Sequence, residues 1–398
     1  MKKLFSILIA FTIAILLVGT VFAQDVVRIG CSTSLTGKLA YEGKASKDGN
    51  DFYVAMVNRK GGLNIGGKKY KIDVKYYDDE SDVNTTTKLV EKLITEDKID
   101  FIYGPYGSGP GFAASAITEK YKKIIMAMSS SRELYERGFK YLFTCVTPAE
   151  LYFKSVIYCL SQQNPRPKTL ALLFKNDLFN KSAADAIPGY CKENGIEIVY
   201  NEKFAPGASD FSTELSVIKA KNPDIIVFLS QAEQFILGAK QMKDLKVNPK
   251  AIVTGVAVAE PHLVKALGKD AEYLSGPTLW DPTMKYRDDL FGDSQDYSKE
   301  FKKIFGYEPS YHAATNSSSC QALGIAMEKA GSLDVERVRN AMVTLDANTF
   351  YGRIRFDEKG RITGRTAPLG QILNGKFTIV YPPEIAVAKT VWPKPAWQ

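Results

Sequence analysis

Two short stretches rich in glycine and serine are candidate binding segments. Residues 104–111, which include Ser108, follow one predicted strand, and Ser129, Ser130 and Ser131 follow the next. Hydroxyl groups and the free backbone amides of a helix start can donate to an anion, and each bond to a charged group contributes ~1.5–3 kcal/mol. Turn glycines and helix N-caps have the same composition, so either stretch alone is equally consistent with a structural role. Their place after successive strands favours a site for a ligand carboxylate.

The glycines and Ser108 do not form a nucleotide-binding or hydrolase motif. Gly107, Gly109 and Gly111 alternate, so the pattern G-x-G-x-x-G is not formed. Tyr106 stands where the motif G-x-S-x-G needs a glycine before Ser108. The chain also contains only 2 histidines, which leaves few general bases. These patterns predict a binding protein that is not an enzyme and uses no cofactor.

Metal binding has no support in the sequence. The 5 cysteines are widely spaced and include no C-x-x-C pair. Asp78 and Asp79 are adjacent at the end of a predicted strand, so their side chains point to opposite faces and are poorly placed to share a metal ion. We expect the two carboxylates to cap the next turn and most cysteines to be small buried hydrophobes, with one disulfide left possible.

Carboxylates and aromatic side chains in predicted loops supply further candidates. Glu260 and Asp281 follow strand-like segments and could face a cleft, although most surface carboxylates are only solvated. Large aromatic residues in loops could stack on a ligand or, with equal weight, pack at the edges of lobes. The aromatic candidates are Tyr41, Tyr106, Phe179 and Trp280.

An alternation of apolar strands and amphipathic helices must position these residues. The alternation runs over residues 26–128 and restarts over 169–254, which is typical of βαβ units with a parallel sheet covered on both faces. After residue 276 the rhythm becomes irregular, and a hairpin is predicted over 350–363. The length exceeds what one hydrophobic core usually organises. The sequence therefore predicts an α/β protein with two doubly wound parallel-sheet lobes.

Residues 1–23 have the composition of a secretory signal peptide. Lys2 and Lys3 precede an apolar run over 7–18, and Val-Phe-Ala at 21–23 forms a cleavage site before Gln24. A retained membrane anchor is the alternative, because 4–23 is nearly long enough to span a bilayer. No cysteine directly follows the apolar run, as a lipid anchor would require. We expect cleavage and a free periplasmic protein.

The charge distribution argues against a nucleic-acid partner. The chain has 52 basic and 44 acidic residues, a net charge of +8, without a block of lysines and arginines or a basic stripe with interleaved aromatics. The mild positive excess is more typical of a protein kept soluble by its surface charge or weakly attracted to anionic surfaces.

The order of several stretches resembles the type I periplasmic solute-binding proteins of ABC transporters, in the leucine/isoleucine/valine-binding branch. The stretches are Ser-Leu-Thr-Gly at 34–37, Tyr-Glu-Gly at 41–43, Val-Asn-Arg-Lys-Gly-Gly-Leu at 57–63, Tyr-Asp-Asp-Glu-Ser-Asp at 77–82, Gly-Pro-Tyr-Gly-Ser at 104–108, Glu-Leu-Tyr-Glu-Arg-Gly at 133–138 and Phe-Asp-Glu-Lys-Gly at 356–360. The resemblance implies two α/β lobes joined by a three-crossover hinge, which close on a solute and deliver it to a membrane permease. It also implies a monomer, with lobe 1 at 24–145 plus 280–349, lobe 2 at 146–279 plus 350–398, and the ligand cleft between the lobes.

The resemblance also assigns roles to individual residues. On lobe 1, Ser108 would meet the ligand carboxylate, Ser129 and Ser130 would flank it, and Tyr41 would close over the ligand. A small carboxylate-bearing solute is therefore expected, with a branched-chain or other apolar amino acid as the leading interpretation. A ligand sensor that hands its closed state to a membrane receptor is a further alternative.

On lobe 2 the resemblance places Phe179 and Gln231 against the ligand, and one position departs from the family. Val256 falls near the acidic residue that pairs with an amino acid's ammonium, and burying that ammonium without a partner would be costly. Glu260 or Asp281 could replace the missing carboxylate. An aromatic or aliphatic acid without an ammonium is therefore the second interpretation of the solute.

Overall fold

The computed structural model describes residues 25–397, so the predicted signal peptide at 1–23 lies outside the described residues. The strands are β1 Val26–Thr33, β2 Leu63–Ile65, β3 Lys68–Asp78, β4 Phe101–Tyr106, β5 Ile125–Met128, β6 Leu142–Phe143, β7 Thr169–Lys175, β8 Glu197–Phe204, β9 Ile225–Leu229, β10 Ala251–Thr254, β11 Ser275–Pro277, β12 Arg287–Asp288, β13 Gly292–Asp293, β14 Asp346–Thr349, β15 Gly352–Arg355, β16 Leu369–Leu373 and β17 Lys376–Tyr381. The helices are α1 Ala40–Arg59, α2 Val83–Thr95, α3 Ser108–Lys120, α4 Arg132–Tyr135, α5 Tyr152–Ser161, α6 Leu178–Glu193, α7 Ser212–Lys221, α8 Ala232–Asp244, α9 Pro261–Leu267, α10 Ser294–Phe305, α11 Tyr311–Ala330 and α12 Val335–Val343.

A six-stranded sheet organises the first lobe. Its strand order is β2-β3-β1-β4-β5-β6, and all pairs are parallel except the edge pair β2 and β3. Strand β5 is apolar and wholly buried, as expected for a parallel strand covered by helices on both faces. The strand order reverses between β1 and β4, so the loops after these strands open a crevice at their carboxyl ends.

A seven-stranded sheet organises the second lobe. Its order is β17-β16-β11-β10-β9-β7-β8, in which the strands from β7 to β11 run parallel and β16 and β17 add antiparallel edge strands. Strand β9, Ile-Ile-Val-Phe-Leu, is buried along its whole length. The order reverses between β7 and β9, which opens a second crevice at their carboxyl ends.

Side-chain caps fix the helices that begin beside these crevices. Asp177 accepts from the backbone amide of Asn180 and starts α6 directly after β7. Asp82 accepts from the amide of Thr85 and starts α2, whose amphipathic sequence buries Val90, Leu93 and Ile94. The caps set the residue at which each helix begins, and thus which side chains face the crevices.

The chain passes between the two sheets three times. It leaves the first sheet after β6, returns after β11, and leaves again between β15 and β16. The predicted lobe boundary between residues 349 and 350 lies within the turn of the antiparallel pair of β14 and β15. These crossings form the hinge of a two-lobed α/β protein and confirm the predicted fold class.

The irregular segment after residue 276 mostly returns to the first lobe. Helix α11 packs closely along α1, and Phe52 of α1 meets Tyr297 and Phe301 of α10 with ring centroids 5.0 Å and 5.4 Å apart. A Cβ atom added to Gly49 of α1 would lie 2.2 Å from the backbone oxygen of Ala313, so these two helix backbones approach closely only because Gly49 has no side chain.

The strands and helices of both alternations form as predicted, with shifts of a few residues at their ends. The predicted hairpin over 350–363 is correct only near its turn. Phe356 and Ile362 form an isolated antiparallel bridge, and the amide of Thr363 donates to the backbone oxygen of Arg355, but residues Gly352–Arg355 pair with Asp346–Thr349 instead. The C-terminal pair β16 and β17 has no counterpart in the predicted pattern, because its buried positions follow no strict alternation.

Two smaller expectations are also tested by the structure. All five cysteines are buried and unpaired, as expected for small apolar side chains, so the disulfide left possible is not formed. Asp78 and Asp79 cap turns: Asp78 accepts from the amides of Leu35 and Glu80, and Asp79 accepts from the amide of Ser81. Among residues 25–397 no helix combines the length and apolar character needed to cross a membrane.

Candidate functional site

A main cavity of about 370 Å³ lies where the carboxyl ends of the two sheets face each other. Ser108 and Ser130 line it from the first lobe, and Phe179, Gln231 and Val256 line it from the second. These residues follow β4, β5, β7, β9 and β10 respectively. The cavity thus occupies the strand-order reversals of both sheets, which is where open α/β sheets bind ligands.

Ser108 lies at the end of the cavity best suited to an anion. It is the first residue of α3, so it is next to backbone amides that have no acceptor inside the helix. The hydroxyl of Ser108 accepts from the amides of Ser130 and Ser131 at 3.4 Å and 3.3 Å. Gly107 precedes the helix with φ of 97°, a left-handed conformation that suits glycine. The two serine-bearing loops therefore meet, and their hydroxyls can donate to one carboxylate.

Ser129 has a different role from its neighbour Ser130. Its hydroxyl donates to the backbone oxygen of Gly107 at 2.9 Å, and its backbone oxygen accepts from the Tyr135 hydroxyl at 2.8 Å. The residue does not line the main cavity. Ser129 connects the loop after β5 to the start of α3, because consecutive residues of an extended segment point in opposite directions.

Apolar and aromatic side chains form the body of the cavity. Met128, Val146 and Phe179 line it, and the ring of Phe179 meets that of Tyr152 edge-on with centroids 5.6 Å apart. This edge-to-face contact holds Phe179 in place. Tyr152 was not predicted from the sequence, because it starts an apolar helix whose pattern indicates only core packing.

A polar group closes the second-lobe wall of the main cavity. The Lys175 ammonium donates to Gln231 Oε1 at 2.6 Å and lies 3.6 Å from Asp177 Oδ2. Burial lowers the pKa of Lys175, although the Asp177 carboxylate opposes the shift. Lys175 was not predicted from the sequence, because its only distinguishing feature there is its place as the last residue of a buried strand. The pair of Lys175 and Gln231 presents donors to a solute.

A side cavity of about 20 Å³ adjoins the main cavity and is acidic. Tyr106, Phe179 and Val256 line both cavities, whereas Glu42 and Glu260 line only the side cavity. Burial raises the pKa of Glu42, and the nearby Glu260 carboxylate adds to the shift.

Glu260 lies across the cleft from His312. Glu260 Oε1 lies 2.9 Å from His312 Nε2, and both side chains are buried. The Tyr106 ring stands edge-on to the His312 ring, with centroids 5.0 Å apart. His312 begins the long helix α11, and its position there was not predicted from the sequence.

Tyr41 lies at the rim and lines neither cavity. It is 44% exposed, and its ring lies 4.4 Å from that of His262 on the opposite lobe. Burial of the hydroxyl, with the neighbouring Glu260 carboxylate, raises the pKa of Tyr41. Tyr41 is thus part of a contact that closes the cleft.

Trp280 and Asp281 lie away from both cavities. Trp280 is buried in the first lobe, where its ring meets Tyr297 at 5.4 Å and Phe350 at 6.3 Å. Asp281 accepts from the amide and hydroxyl of Thr283 and so caps a turn. The expectation that either residue faces the cleft does not hold in this structure, because the loop that contains them folds back onto the first-lobe core.

Hydrogen bonds across the cleft hold the lobes together. The Ser182 hydroxyl on α6 donates to Glu133 Oε2 at 2.6 Å and accepts from the amide of Arg132 at 3.1 Å. Together with the contact of Tyr41 and His262, these two hydrogen bonds show that the cleft is closed in this structure. In the described part of the chain, no group of three or more histidine, cysteine, aspartate or glutamate residues could hold a metal ion.

The chain is similar to known proteins along nearly its whole length. A family model described as periplasmic binding protein matches residues 26–376. The Leu/Ile/Val-binding protein homolog 7 of Brucella melitensis is 24% identical over 406 residues, covering 97% of this chain and 99% of that protein.

Solved structures share the fold. The branched-chain amino acid transporter substrate-binding protein LivJ of Streptococcus pneumoniae, in complex with isoleucine, has a TM-score of 0.78 at 22% identity and covers 93% of this chain and 100% of that one. An ABC transporter solute-binding protein of Rhodopseudomonas palustris was solved in complex with 3,4-dihydroxybenzoic acid. It has a TM-score of 0.76 at 21% identity, and the match covers 89% of this chain and 95% of that one. The predicted resemblance is confirmed, as is a binding protein rather than an enzyme: this chain belongs to the periplasmic binding protein family.

Proposed function

We propose that this chain is the solute-binding component of an ABC import system and that it captures a small apolar amino acid of the leucine type. The observation that carries the proposal is the main cavity itself. It is about 370 Å³ in volume, it has serine hydroxyls and a helix start at one end, and apolar side chains form its body. A carboxylate at Ser108 would place an aliphatic side chain against Met128, Val146 and Phe179.

The ammonium of such a solute needs an acidic partner, and Glu260 is the best placed residue. Val256 lines both cavities but is apolar, whereas Glu260 is buried in the side cavity that adjoins it. Neither carboxylate oxygen of Glu260 has a hydrogen bond of good geometry among the described residues. A buried carboxylate in this state is stabilised by a cation that supplies the missing donors.

A carboxylic acid without an ammonium is the second candidate solute. His312 already lies within ion-pair distance of Glu260, so a protonated His312 could take the place of the ammonium. The edge-to-face pair of Phe179 and Tyr152 suits an aromatic ring. The Rhodopseudomonas palustris protein of the same fold was solved with 3,4-dihydroxybenzoic acid.

The setting of the protein is part of the proposal. Residues 1–23 would direct export and be removed, and the mature chain would work as a periplasmic monomer that docks on a membrane permease. The sequence predicts lobes at 24–145 with 280–349 and at 146–279 with 350–398. Because β15 pairs with β14, the third crossover would instead lie beyond Arg355, and residues 350–355 would belong to the first lobe. A sensor that presents its closed state to a receptor would use the same lobes.

A ligand screen tests the proposal directly. A solute that binds only the folded protein raises the melting temperature, so the mature chain is screened by thermal shift against leucine, isoleucine, valine, 4-methylpentanoate and 3,4-dihydroxybenzoate. We expect stabilisation by the aliphatic amino acids, followed by micromolar or tighter binding in calorimetry. Stabilisation by the two acids alone would support the second candidate. No stabilisation by any of the five would contradict both.

A further inference from the structure

Glu42, Glu260 and His312 form a buried cluster that spans the cleft. Glu42 lies on α1 and His312 on α11 of the first lobe, whereas Glu260 precedes α9 of the second lobe. Their exposed fractions are 8%, 1% and 2% for Glu42, His312 and Glu260 respectively. All three side chains line the side cavity. Closure of the cleft therefore brings a second carboxylate beside the pair of Glu42 and His312.

The cluster requires a positive charge when the cleft is closed. Two carboxylates removed from water in one small space repel each other, so, unless Glu42 takes up a proton as its raised pKa allows, the closed pair needs a compensating cation. No lysine or arginine lines the side cavity among the residues that the structure describes. His312 is the one lining residue that can become a cation.

The side cavity has room for one further cation. Its volume of about 20 Å³ is enough for a single water-sized group. Apart from the 2.9 Å contact of Glu260 Oε1 with His312 Nε2, neither the carboxylate oxygens of Glu260 nor Nδ1 of His312 has a hydrogen bond of good geometry within residues 25–397. An ammonium group matches both the volume and the missing donors.

The aromatic rings packed on His312 do not supply this charge. The Tyr311 and Tyr106 rings pack against the imidazole with centroids 3.9 Å and 5.0 Å away, and both are neutral. His262 meets Tyr41 at the rim and does not line the side cavity, but a positive charge on it would also act on Glu42, so its part has to be tested separately.

We propose that this cluster is a site for one positive charge, which is either the ammonium of the solute or a proton on His312. The pH therefore decides which class of solute binds. The inference rests on the proposed function, because it assumes that the solute carboxylate lies at Ser108. An amino acid brings its own cation, so His312 releases its proton to solvent. An acid without an ammonium requires that His312 keep or gain a proton.

A matched pair of solutes measures this exchange. Leucine and 4-methylpentanoate differ only in the amino group, and calorimetry in buffers of different ionisation enthalpy counts the protons exchanged on binding. At about pH 5.5, we expect leucine to release about one proton and 4-methylpentanoate to release none. At about pH 8, we expect 4-methylpentanoate to take up about one proton and to bind at least ~10-fold more weakly than at about pH 5.5.

Two variants locate the proton. His312→Gln keeps a polar side chain but cannot be protonated, and it should abolish proton release with leucine and the pH dependence with 4-methylpentanoate. His262→Gln is the matched control and should keep both effects, because His262 lies outside the side cavity. Thermal unfolding of each variant without solute verifies that it is folded.

The outcomes separate this inference from the proposed function. Binding of leucine without proton release at about pH 5.5 contradicts the inference and leaves the proposed function standing. Proton exchange that survives in His312→Gln or disappears in His262→Gln assigns the proton to another group and also contradicts the inference. Binding of neither solute at either pH contradicts the proposed function and, with it, the inference.

Discussion

The Ser182 hydroxyl of the second lobe donates a 2.6 Å hydrogen bond to Glu133 Oε2 of the first lobe. Although burial opposes the shift, this bond and one from Ser131 hold the pKa of Glu133 below its usual range. The carboxylate is therefore an ionised acceptor at neutral pH. The bond exists only when the lobes are together, so it stabilises the closed cleft relative to the open one.

Removing this bond should weaken solute binding without harming the fold. Ser182→Ala should raise the dissociation constant about 5-fold, mainly through faster solute release, since a single hydrogen bond contributes ~1 kcal/mol. Stopped-flow release and calorimetry measure the effect. Ser216→Ala, at an exposed position on α7, is the matched control. Equal affinities for the two variants would show that the bond of Ser182 and Glu133 does not hold the cleft closed.

Ser108 and Ser129 should respond in opposite ways to the same substitution. Ser108→Ala removes a hydroxyl from the cavity wall and should weaken binding by about 1–3 kcal/mol. It should change the melting temperature little, because the bonds that this hydroxyl accepts from the amides of Ser130 and Ser131 are long, at 3.4 Å and 3.3 Å. Ser129→Ala removes the donor to Gly107 and should cost about 1 kcal/mol of unfolding free energy. Calorimetry and urea unfolding on both variants test the contrast. Unchanged affinity in Ser108→Ala would remove Ser108 from the site.

Asp224 should make the stability of the second lobe depend on acid pH. Burial opposes the shift, but hydrogen bonds from Lys250 and from the amide of Lys168 lower the pKa of Asp224. Its contribution is therefore complete above the unfolded value of about 3.9 and is lost as the pH falls through the folded value. Urea unfolding should show less loss of stability below about pH 4 in Asp224→Asn than in the unmodified chain. Asp289→Asn, at an exposed side chain, should retain the full loss.

Gly49 and Gly189 should differ in their tolerance of a methyl group. Gly49→Ala would press a Cβ against the backbone of Ala313 and should cost about 1–3 kcal/mol by forcing α1 and α11 apart. Gly189 lies inside α6, where a Cβ would meet nothing within 4 Å, so Gly189→Ala should stabilise by about 0.4–1 kcal/mol. Urea unfolding measures both. Similar free energies for the two variants would contradict the close approach of the helices.

The sequence predicts features that depend on neighbouring residues more accurately than contacts between residues far apart in the chain. Strand β9 and helix α8 form where the apolar pattern predicts them, because that pattern is local. Ser108 and Ser130 meet because both follow neighbouring strands of one parallel sheet. Trp280 was misplaced because a large aromatic in a predicted loop can face a ligand or a core, and only its packing on Tyr297 decides.

The sequence by itself determined the two α/β alternations, the absence of catalytic motifs, the serine-bearing loops and the family resemblance. These depend on residue type and short spacing, which side-chain pattern and backbone preference control directly. The tertiary structure alone decided that Ser129 holds a loop while Ser130 lines the cavity, that Lys175 joins Gln231, and that Glu42 and His312 meet Glu260 across the cleft. Those contacts join residues far apart in the chain, so they form only when the sheets have folded and, for Glu260, when the lobes have also closed.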